Sequence, residues 1–285
     1  MNNKQLILLK GFCFAHSRLL PASSAALLLK LLFTVRKRVY PNDKLGLPDS
    51  VYHLPDETSL IHWKGSNGKS VLLVHGWDGS GNQYENIFNS FKLLGYAIYV
   101  LHPKGYGLSK APHSNPAWFI KAVQAARKFI GVPFSVAVGH SMGAGALALS
   151  ASSEKIAEKL ILVSTPDSFY TIVTDFANHF SVGDRAKKQF TDLVKEQVGI
   201  EYERLMVKKQ MQLITQPILI IHDENDRILP IQHALNLNEH ANNADLFITK
   251  SYGHNRLLGS QAVLRKINEF CLLSEKEVQL SENEI

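Results

Sequence analysis

A serine between two glycines is the residue of this sequence with the clearest potential for chemistry. Ser141 lies at the centre of Gly139-His140-Ser141-Met142-Gly143, after an apolar run and before a stretch of small residues. This spacing is typical of a nucleophile elbow, a strained strand-to-helix turn that exposes a serine hydroxyl above a sheet. An ordinary glycine-rich turn is the alternative. The strand–turn–helix context favours the elbow, with Ser141 as nucleophile.

A serine hydroxyl is a poor nucleophile near neutral pH and needs an adjacent base that a third group holds in place. Two loops downstream of Ser141 supply candidates, each directly after an apolar run. The first contains Asp226, 85 residues after Ser141, and the second contains His254, 28 residues further on. Because an elbow serine is followed along the chain by its acid and then its histidine, we expect Asp226 to orient His254 as the base. His140 adjoins the nucleophile, but we expect it to point elsewhere and to be structural.

The elements that must position these residues alternate along the chain from about residue 50. Apolar, β-branched runs predict strands at 70–75, 96–101, 134–138, 159–163, 217–221 and 244–249. Helical stretches lie between them at 82–94, 116–130 and 143–152, and residues 50–63 could form an antiparallel hairpin before the first run. Runs this apolar are buried on both faces of a sheet. The alternation therefore predicts an α/β fold with a mostly parallel central sheet flanked by helices.

One segment interrupts the alternation of strands and helices. Residues 166–216 contain no strand run, are helical in composition and carry several aromatic side chains. An insertion here would lie over the strand ends, where open α/β sheets bind ligands. We therefore expect a helical lid insertion at 166–216 that divides a core of residues 50–165 and 217–273, followed by a charged tail at 274–285.

The basic charge of the chain is concentrated in an N-terminal arm, residues 1–49. The formal net charge is +6, but residues 1–40 hold seven cations and no acid, so the rest of the chain carries −1. The most apolar part of this arm is too short to span a bilayer and is interrupted by Lys30. Two interpretations remain open, a helix packed on the body of the protein and an amphipathic helix on an anionic membrane surface.

Several function classes find no support in the sequence. A nucleic-acid reader would carry its basic face on the folded domain, which here is near neutral. The two cysteines, Cys13 and Cys271, form no Cys-x-x-Cys pair, and no metal-ligand motif is present. A dinucleotide-binding glycine motif is also missing after the first strand. We therefore expect no nucleic acid, no metal and no cofactor.

With these motifs in this order, the chain resembles the α/β-hydrolase superfamily of lidded serine esterases over about residues 50–270. The family pattern His-(Gly)-x-x-x-Asp-x-x-x-Pro supplies the acid at its aspartate, which implies Asp226. Asp223 stands where relatives commonly have glycine, and this departure keeps it open as a second candidate acid. Asp167 matches another acid position that some members use.

The resemblance also implies an oxyanion hole. His75-Gly76-Trp77-Asp78-Gly79 follows the strand at 70–75 and is similar to the family's oxyanion loop. It implies that the backbone N–H groups of Trp77 and Met142 are the donors, with His75 fixing the loop.

The resemblance implies a serine hydrolase that cleaves a carboxylic ester or thioester through an acyl-enzyme. Its partner would then be a small-molecule acyl substrate. A ligand receptor or signalling protein with slow turnover on the same scaffold is the alternative, because a fold does not determine function. We expect a cytoplasmic protein, with contact between residues 1–40 and a membrane surface left open.

Overall fold

An eight-stranded sheet forms the centre of the protein. The computed structural model describes the backbone of residues 3–36 and 43–282 and the side chains of residues 10–36 and 44–272. The strand order is β1-β2-β4-β3-β5-β6-β7-β8. Strands β1 and β2 form the antiparallel hairpin expected before the core, β2 pairs antiparallel with β4, and the remaining pairs are parallel. The strands are β1 (Ser50–Leu54), β2 (Thr58–Trp63), β3 (Ser70–Val74), β4 (Ala97–His102), β5 (Phe134–His140), β6 (Ala157–Val163), β7 (Ile218–Asp223) and β8 (Ala244–Thr249).

Helices connect the parallel strands, as the sequence predicts. The α-helices of the described residues are α1 (Asn3–Leu19), α2 (Pro21–Phe33), α3 (Glu85–Leu93), α4 (Pro116–Ile130), α5 (Met142–Ala151), α6 (Phe169–His179), α7 (Asp184–Val198), α8 (Val207–Met211), α9 (Gln232–Glu239), α10 (Gly253–Arg256) and α11 (Gln261–Glu282). Helix α11 continues into the segment that the sequence sets apart as a tail. The predicted α/β fold with a mostly parallel sheet flanked by helices is confirmed.

The sheet is buried on both faces, because its central strands alternate between two cores. Leu72 on β3 pairs in register with Ala137 on β5, and both belong to one core. The next pair, Leu73 and Val138, belongs to the core on the other face. Successive side chains of a strand point to opposite faces, so a strand covered on both sides must be apolar throughout. This explains the uninterrupted apolar runs in the sequence.

The segment between β6 and β7 carries helices α6, α7 and α8 and no strand, in agreement with the composition of residues 166–216. We call residues 164–217 the insertion. Helix α6 begins after Ser168, whose hydroxyl accepts a hydrogen bond from the Thr171 amide at 3.4 Å. Phe190 and Val194 on one face of α7 are buried. The insertion thus adds its own apolar layer to the core at the carboxyl end of the sheet.

The N-terminal arm packs on the insertion. Helix α2 lies against α7 and buries Ala25 and Leu28. A hydrogen bond of 2.5 Å between His16 and Ser24 joins α1 to α2, and the Ser17 hydroxyl accepts one from the Gly183 amide just before α7. This supports packing of the arm on the body of the protein. Within residues 3–36 and 43–282, no helix combines the length and apolarity that a membrane span requires.

Candidate active site

Ser141 occupies a strained turn at the carboxyl end of the central strand β5. Its backbone has φ of 52°, a conformation that non-glycine residues rarely adopt, and helix α5 begins at the next residue. A Cβ at Gly139 would lie 2.5 Å from Ala144 Cα, and one at Gly143 would lie 2.2 Å from the Val74 carbonyl oxygen. Both distances are far below a van der Waals contact. The two glycines are therefore needed for strand and helix to cross closely, as a nucleophile elbow requires.

The fold brings His254 and Asp226 into direct contact. His254 Nδ1 lies 2.6 Å from Asp226 Oδ2, and both side chains are nearly excluded from solvent. Asp226 Oδ1 accepts two further hydrogen bonds, from the amides of Ile228 and Leu229 at 2.8 and 2.9 Å. Burial opposes ionisation of Asp226, but the hydrogen bond and charge of His254 and the two amides outweigh it, so the pKa lies below its ordinary value. An ionised Asp226 requires the Nδ1 proton on His254 and leaves Nε2 free to accept another.

Asp223, the second candidate acid, makes no hydrogen bond with His254 within the described residues and instead fixes the loop that carries it. Its Oδ1 accepts hydrogen bonds from the amides of Asn225 and Gly253, at 3.0 and 2.9 Å. Its Oδ2 accepts them from the Thr249 hydroxyl and the Tyr252 amide, at 2.8 and 3.1 Å. Burial opposes ionisation, yet these four donors lower the pKa of Asp223. A glycine at this position could not tie the two loops together in this way.

Asp167, the remaining candidate acid, is paired with a different histidine. Its carboxylate lies 2.7 Å from His233 Nδ1 and accepts a second hydrogen bond from the Asn236 side chain at 2.6 Å. These bonds connect the start of the insertion to α9. The geometry therefore joins Asp226, and neither of the other two carboxylates, to His254.

His140, expected to be structural, contacts the backbone of His254. Its Nε2 donates a hydrogen bond of 2.9 Å to the His254 carbonyl oxygen, and the two rings are 4.8 Å apart. Burial lowers the pKa of His140 to about 3, so the ring is neutral and carries its proton on Nε2. His140 thus positions the histidine that follows β8 against the turn that carries Ser141. Sequence reasoning missed this link, and adjacency to Ser141 was its only local signal.

The loop after β3 runs along the nucleophile turn. A Cβ at Gly76 would lie 3.0 Å from Ser141 Cβ and 3.1 Å from the His140 carbonyl oxygen, so a larger residue would crowd this approach. The Gly76 carbonyl oxygen accepts hydrogen bonds from His75 Nδ1 at 2.8 Å and from the Gly79 amide at 3.1 Å. His75 Nε2 in turn accepts one from His102 Nδ1 at 3.2 Å. These contacts agree with the expected role of His75 in fixing the loop.

The two expected oxyanion donors belong to Trp77, directly after Gly76, and Met142, directly after Ser141. Trp77 and Met142 both line the cavity onto which Ser141 opens. Among the residues that the structure describes, neither backbone N–H has an acceptor. A partly buried N–H without an acceptor is uncommon in folded proteins. Both groups are thus available to an oxygen bound in the cavity.

The cavity at Ser141 has a volume of about 260 Å³ and is mostly apolar. Its apolar walls come from the arm, the insertion and the loop after β7, and comprise Leu31, Leu32, Phe33, Trp77, Pro116, Met142, Pro166, Phe169, Ile172, Val173, Phe176, Ile228 and Leu229. His254 lines a neighbouring open depression, and Ile228 borders both.

No hydrogen bond joins Ser141 and His254 within the described residues. Catalytic hydrogen bonds of this kind often tighten only when substrate binds.

The arm contributes to this cavity, although the family resemblance covers only about residues 50–270 and so excludes the arm. Phe33 at the end of α2 accepts a hydrogen bond from the Ser114 amide, and the Val35 amide donates one to Pro112. The Arg36 amide donates to Asp78 Oδ1 at 2.9 Å, next to Trp77. These contacts hold the end of α2 as a wall of the cavity.

Comparison with known proteins identifies the fold family. A sequence model described as "alpha/beta hydrolase fold" matches residues 69–197, and one described as "TAP-like protein" matches residues 199–279. The chain belongs to the α/β-hydrolase superfamily. It is 22% identical over 230 residues to the AB hydrolase superfamily protein YisY of Bacillus subtilis (strain 168), covering 66% of this chain and 85% of that protein.

Two solved structures have the same fold. A putative lipase from Acinetobacter baumannii AYE superposes with a TM-score of 0.62 at 18% identity, over 89% of this chain and 97% of that one. The Pyrococcus furiosus esterase Pf2001 superposes with a TM-score of 0.62 at 18% identity, over 83% of this chain and 97% of that one. At these identities the likeness extends to the fold, and the chemistry must be argued from the site.

Proposed function

We propose that this protein is a serine hydrolase that cleaves a carboxylic ester through an acyl-enzyme intermediate. The observation that carries the proposal is the joint placement of an elbow serine at an apolar cavity and a histidine–aspartate pair beside it. Superfamily membership and the esterase and lipase structures of the same fold support a hydrolase. A thioester would fit the same chemistry.

His254 acts as the base in the proposed reaction. Its Nδ1 proton is held by Asp226, so Nε2 takes the proton from Ser141 as the hydroxyl oxygen attacks the acyl carbonyl carbon. The tetrahedral intermediate collapses when the bond to the leaving alcohol breaks and His254 gives that alcohol its proton. Water then attacks the acyl-enzyme, again with His254 as base, and releases the carboxylic acid and a free Ser141.

The backbone N–H groups of Trp77 and Met142 stabilise the charge that develops on the carbonyl oxygen. Both line the cavity with Ser141, and both lack an acceptor within the described residues. A preorganised donor of this kind contributes about 3 kcal/mol to transition-state stabilisation. The hydrogen bonds of His75 to the loop keep the Trp77 amide in place before substrate binds.

The cavity favours a substrate with an apolar acyl group of small or medium size. Its volume of about 260 Å³ lies just below the usual range for ligand sites, and aromatic and aliphatic side chains form nearly all of its walls. Arg36 is the one charged residue among those lining it. The alcohol part of the ester would face the open depression beside His254.

Labelling with a fluorophosphonate probe tests the proposal without knowledge of the natural substrate. Wild type should label at Ser141, and Ser141→Ala and His254→Ala should not, because the probe reacts only with an activated serine. Ser153→Ala, the same substitution at an exposed serine just after α5, should label like wild type. Hydrolysis of p-nitrophenyl esters should follow the same order.

The alternative is a ligand receptor on a hydrolase scaffold, and the missing hydrogen bond between Ser141 and His254 is the observation that favours it. Folded wild-type protein that failed to label and to turn over esters, yet bound an apolar ligand in the cavity, would replace the hydrolase proposal with this one.

A further inference from the structure

The N-terminal arm exposes an unusual concentration of large apolar side chains. Five of the eighteen exposed large apolar side chains in the described residues lie between positions 12 and 27, although the arm is a small part of the chain. We call them the arm surface, which consists of Phe12, Phe14, Leu19, Leu20 and Leu27. Leu19 is 79% exposed. Exposed large apolar side chains concentrated in one segment are typical of an interaction site.

Helices α1 and α2 pack on the body of the protein through other side chains, which are buried. Cys13 and Ser17, one turn apart on α1, are buried, and so are Ala25 and Leu28 on α2. Ser17 is also hydrogen-bonded to the insertion. Since the helices use these buried side chains to pack on the protein, the side chains of the arm surface remain exposed within the described chain.

The charged residues of helices α1 and α2 are all cationic, whereas Asp192 and Glu196 of α7 lie beside Ala22 and Ala25 of α2. The sequence has no acid before Asp43, and in the described residues no carboxylate lies within ion-pair distance of Arg18 or Lys30. The Arg18 guanidinium lies 3.5 Å over the ring of Phe14. Long cationic side chains beside apolar ones can reach lipid headgroups while their neighbours enter the acyl region.

The arm surface is continuous with the cavity at Ser141. Phe12, Leu27 and Leu31 line a small cavity between α1 and α2. Leu31 also lines the cavity onto which Ser141 opens. One row of apolar side chains thus extends from the exposed face of the arm to the site.

We propose that α1 and α2 dock the protein on the surface of an anionic lipid bilayer. Apolar side chains of the arm surface enter the headgroup and acyl boundary, and cations such as Arg18 and Lys30 bind lipid phosphates. A second copy of this chain would bring the cations of two α1–α2 pairs together, and their repulsion opposes such a pairing. The docking is peripheral and does not require a reaction at Ser141.

Co-sedimentation of the full-length protein with phosphatidylcholine vesicles, with and without phosphatidylglycerol, tests this docking. Wild type should bind the anionic vesicles, with binding weakened by salt because exposed charges are screened. Leu19→Ser should lower the partition coefficient about tenfold, since its apolar side chain leaves the boundary. Leu93→Ser is the matched control, because Leu93 also ends a helix and is 89% exposed, and it should bind like wild type.

A second pair of variants tests the charge. Lys30→Glu should weaken binding about tenfold or more, because the change removes an attractive charge near the anionic surface and puts a repulsive one in its place. Lys121→Glu, the same change at an exposed lysine of α4, should leave vesicle binding unchanged. Ser141→Ala should bind vesicles like wild type, so failure of the hydrolase proposal leaves this test intact.

Three results would overturn the docking proposal. Wild type could fail to bind anionic vesicles, or the Leu93→Ser and Lys121→Glu controls could weaken binding as much as the arm variants. Alternatively, size-exclusion chromatography could show a dimer that Leu19→Ser dissociates and that binds no vesicles, which would make the arm surface a self-association site.

Discussion

Asp223 and Asp226 stand three residues apart and are both buried, so substituting each with asparagine separates their roles. Asp226 Oδ1 accepts hydrogen bonds from the amides of Ile228 and Leu229, and Oδ2 accepts one from His254 Nδ1–H. In Asp226→Asn the side-chain carbonyl oxygen keeps the hydrogen bonds from the two backbone amides. The NH₂ group of the new side chain is then placed against His254 Nδ1. The ring must then move its proton to Nε2 to accept from the amide. A protonated Nε2 cannot take the proton of Ser141.

The expected loss is about 10³–10⁴-fold in the rate constant of fluorophosphonate labelling, or about 4–5.5 kcal/mol in activation free energy. Stability should change little, because every hydrogen bond of Asp226 has a replacement after the tautomer switch. The measurement is the labelling rate over a series of probe concentrations, with urea unfolding of the same samples.

Asp223→Asn should show the reverse pattern. Asp223 accepts three hydrogen bonds from backbone amides and one from the Thr249 hydroxyl, so either orientation of the amide sets its NH₂ group against at least one backbone N–H. This costs about 1–3 kcal/mol in the free energy of unfolding, while His254 keeps its tautomer. A labelling rate that falls more in Asp223→Asn than in Asp226→Asn, or that stays within about tenfold in Asp226→Asn, would refute the reasoning.

Two further predictions concern packing and pH. Gly143→Ala should lower the free energy of unfolding by about 1–3 kcal/mol in urea unfolding, since its Cβ meets the Val74 and His75 carbonyl oxygens at 2.2 and 2.5 Å. Gly11→Ala, with nothing within 4 Å, is the control and should not destabilise the protein. Burial lowers the pKa of His75 to about 4 and of His140 to about 3 from 6.5, so the unfolded chain binds protons that the folded protein excludes. The free energy of unfolding should therefore fall as the pH is lowered from 6.5 towards the two folded-state pKa values, by up to about 1.4 kcal/mol per pH unit for each histidine. His140→Phe should have a shallower pH dependence in urea unfolding, and an unchanged slope would contradict the assignment.

The sequence predicts the fold well because a sheet covered on both faces leaves a strong local pattern. Each parallel strand appears as an apolar run, and the turn at Ser141 appears as a fixed spacing of glycines. The predicted ends of the strands and helices agree less well with the structure. Strand β5 extends to His140, two residues beyond the predicted end at 138, because pairing with β6 continues to Val163. Such pairing depends on a strand that is distant in sequence.

Contacts between distant segments account for what the sequence could not predict in the site. His140 and the carbonyl of His254 are 114 residues apart, and nothing local marks them as partners. The choice between Asp223 and Asp226 is similar, because both follow β7 and only the position of His254 separates them. Predictions for residues 37–42 of the arm lie outside the described residues.

The arm was the least predictable part, and it also connects the proposals for lipid docking and ester hydrolysis. The Arg36 amide is hydrogen-bonded to Asp78, whose own amide donates to the Tyr106 hydroxyl at 3.2 Å. Asp78 has φ of 52° and follows Trp77 directly, so the arm is attached to the loop that supplies a proposed oxyanion donor. A displacement of α2 would alter both the apolar wall of the cavity and the contact beside Trp77. Vesicle binding and labelling of Ser141 should therefore be linked in the full-length chain, with the end of α2 as the connecting element.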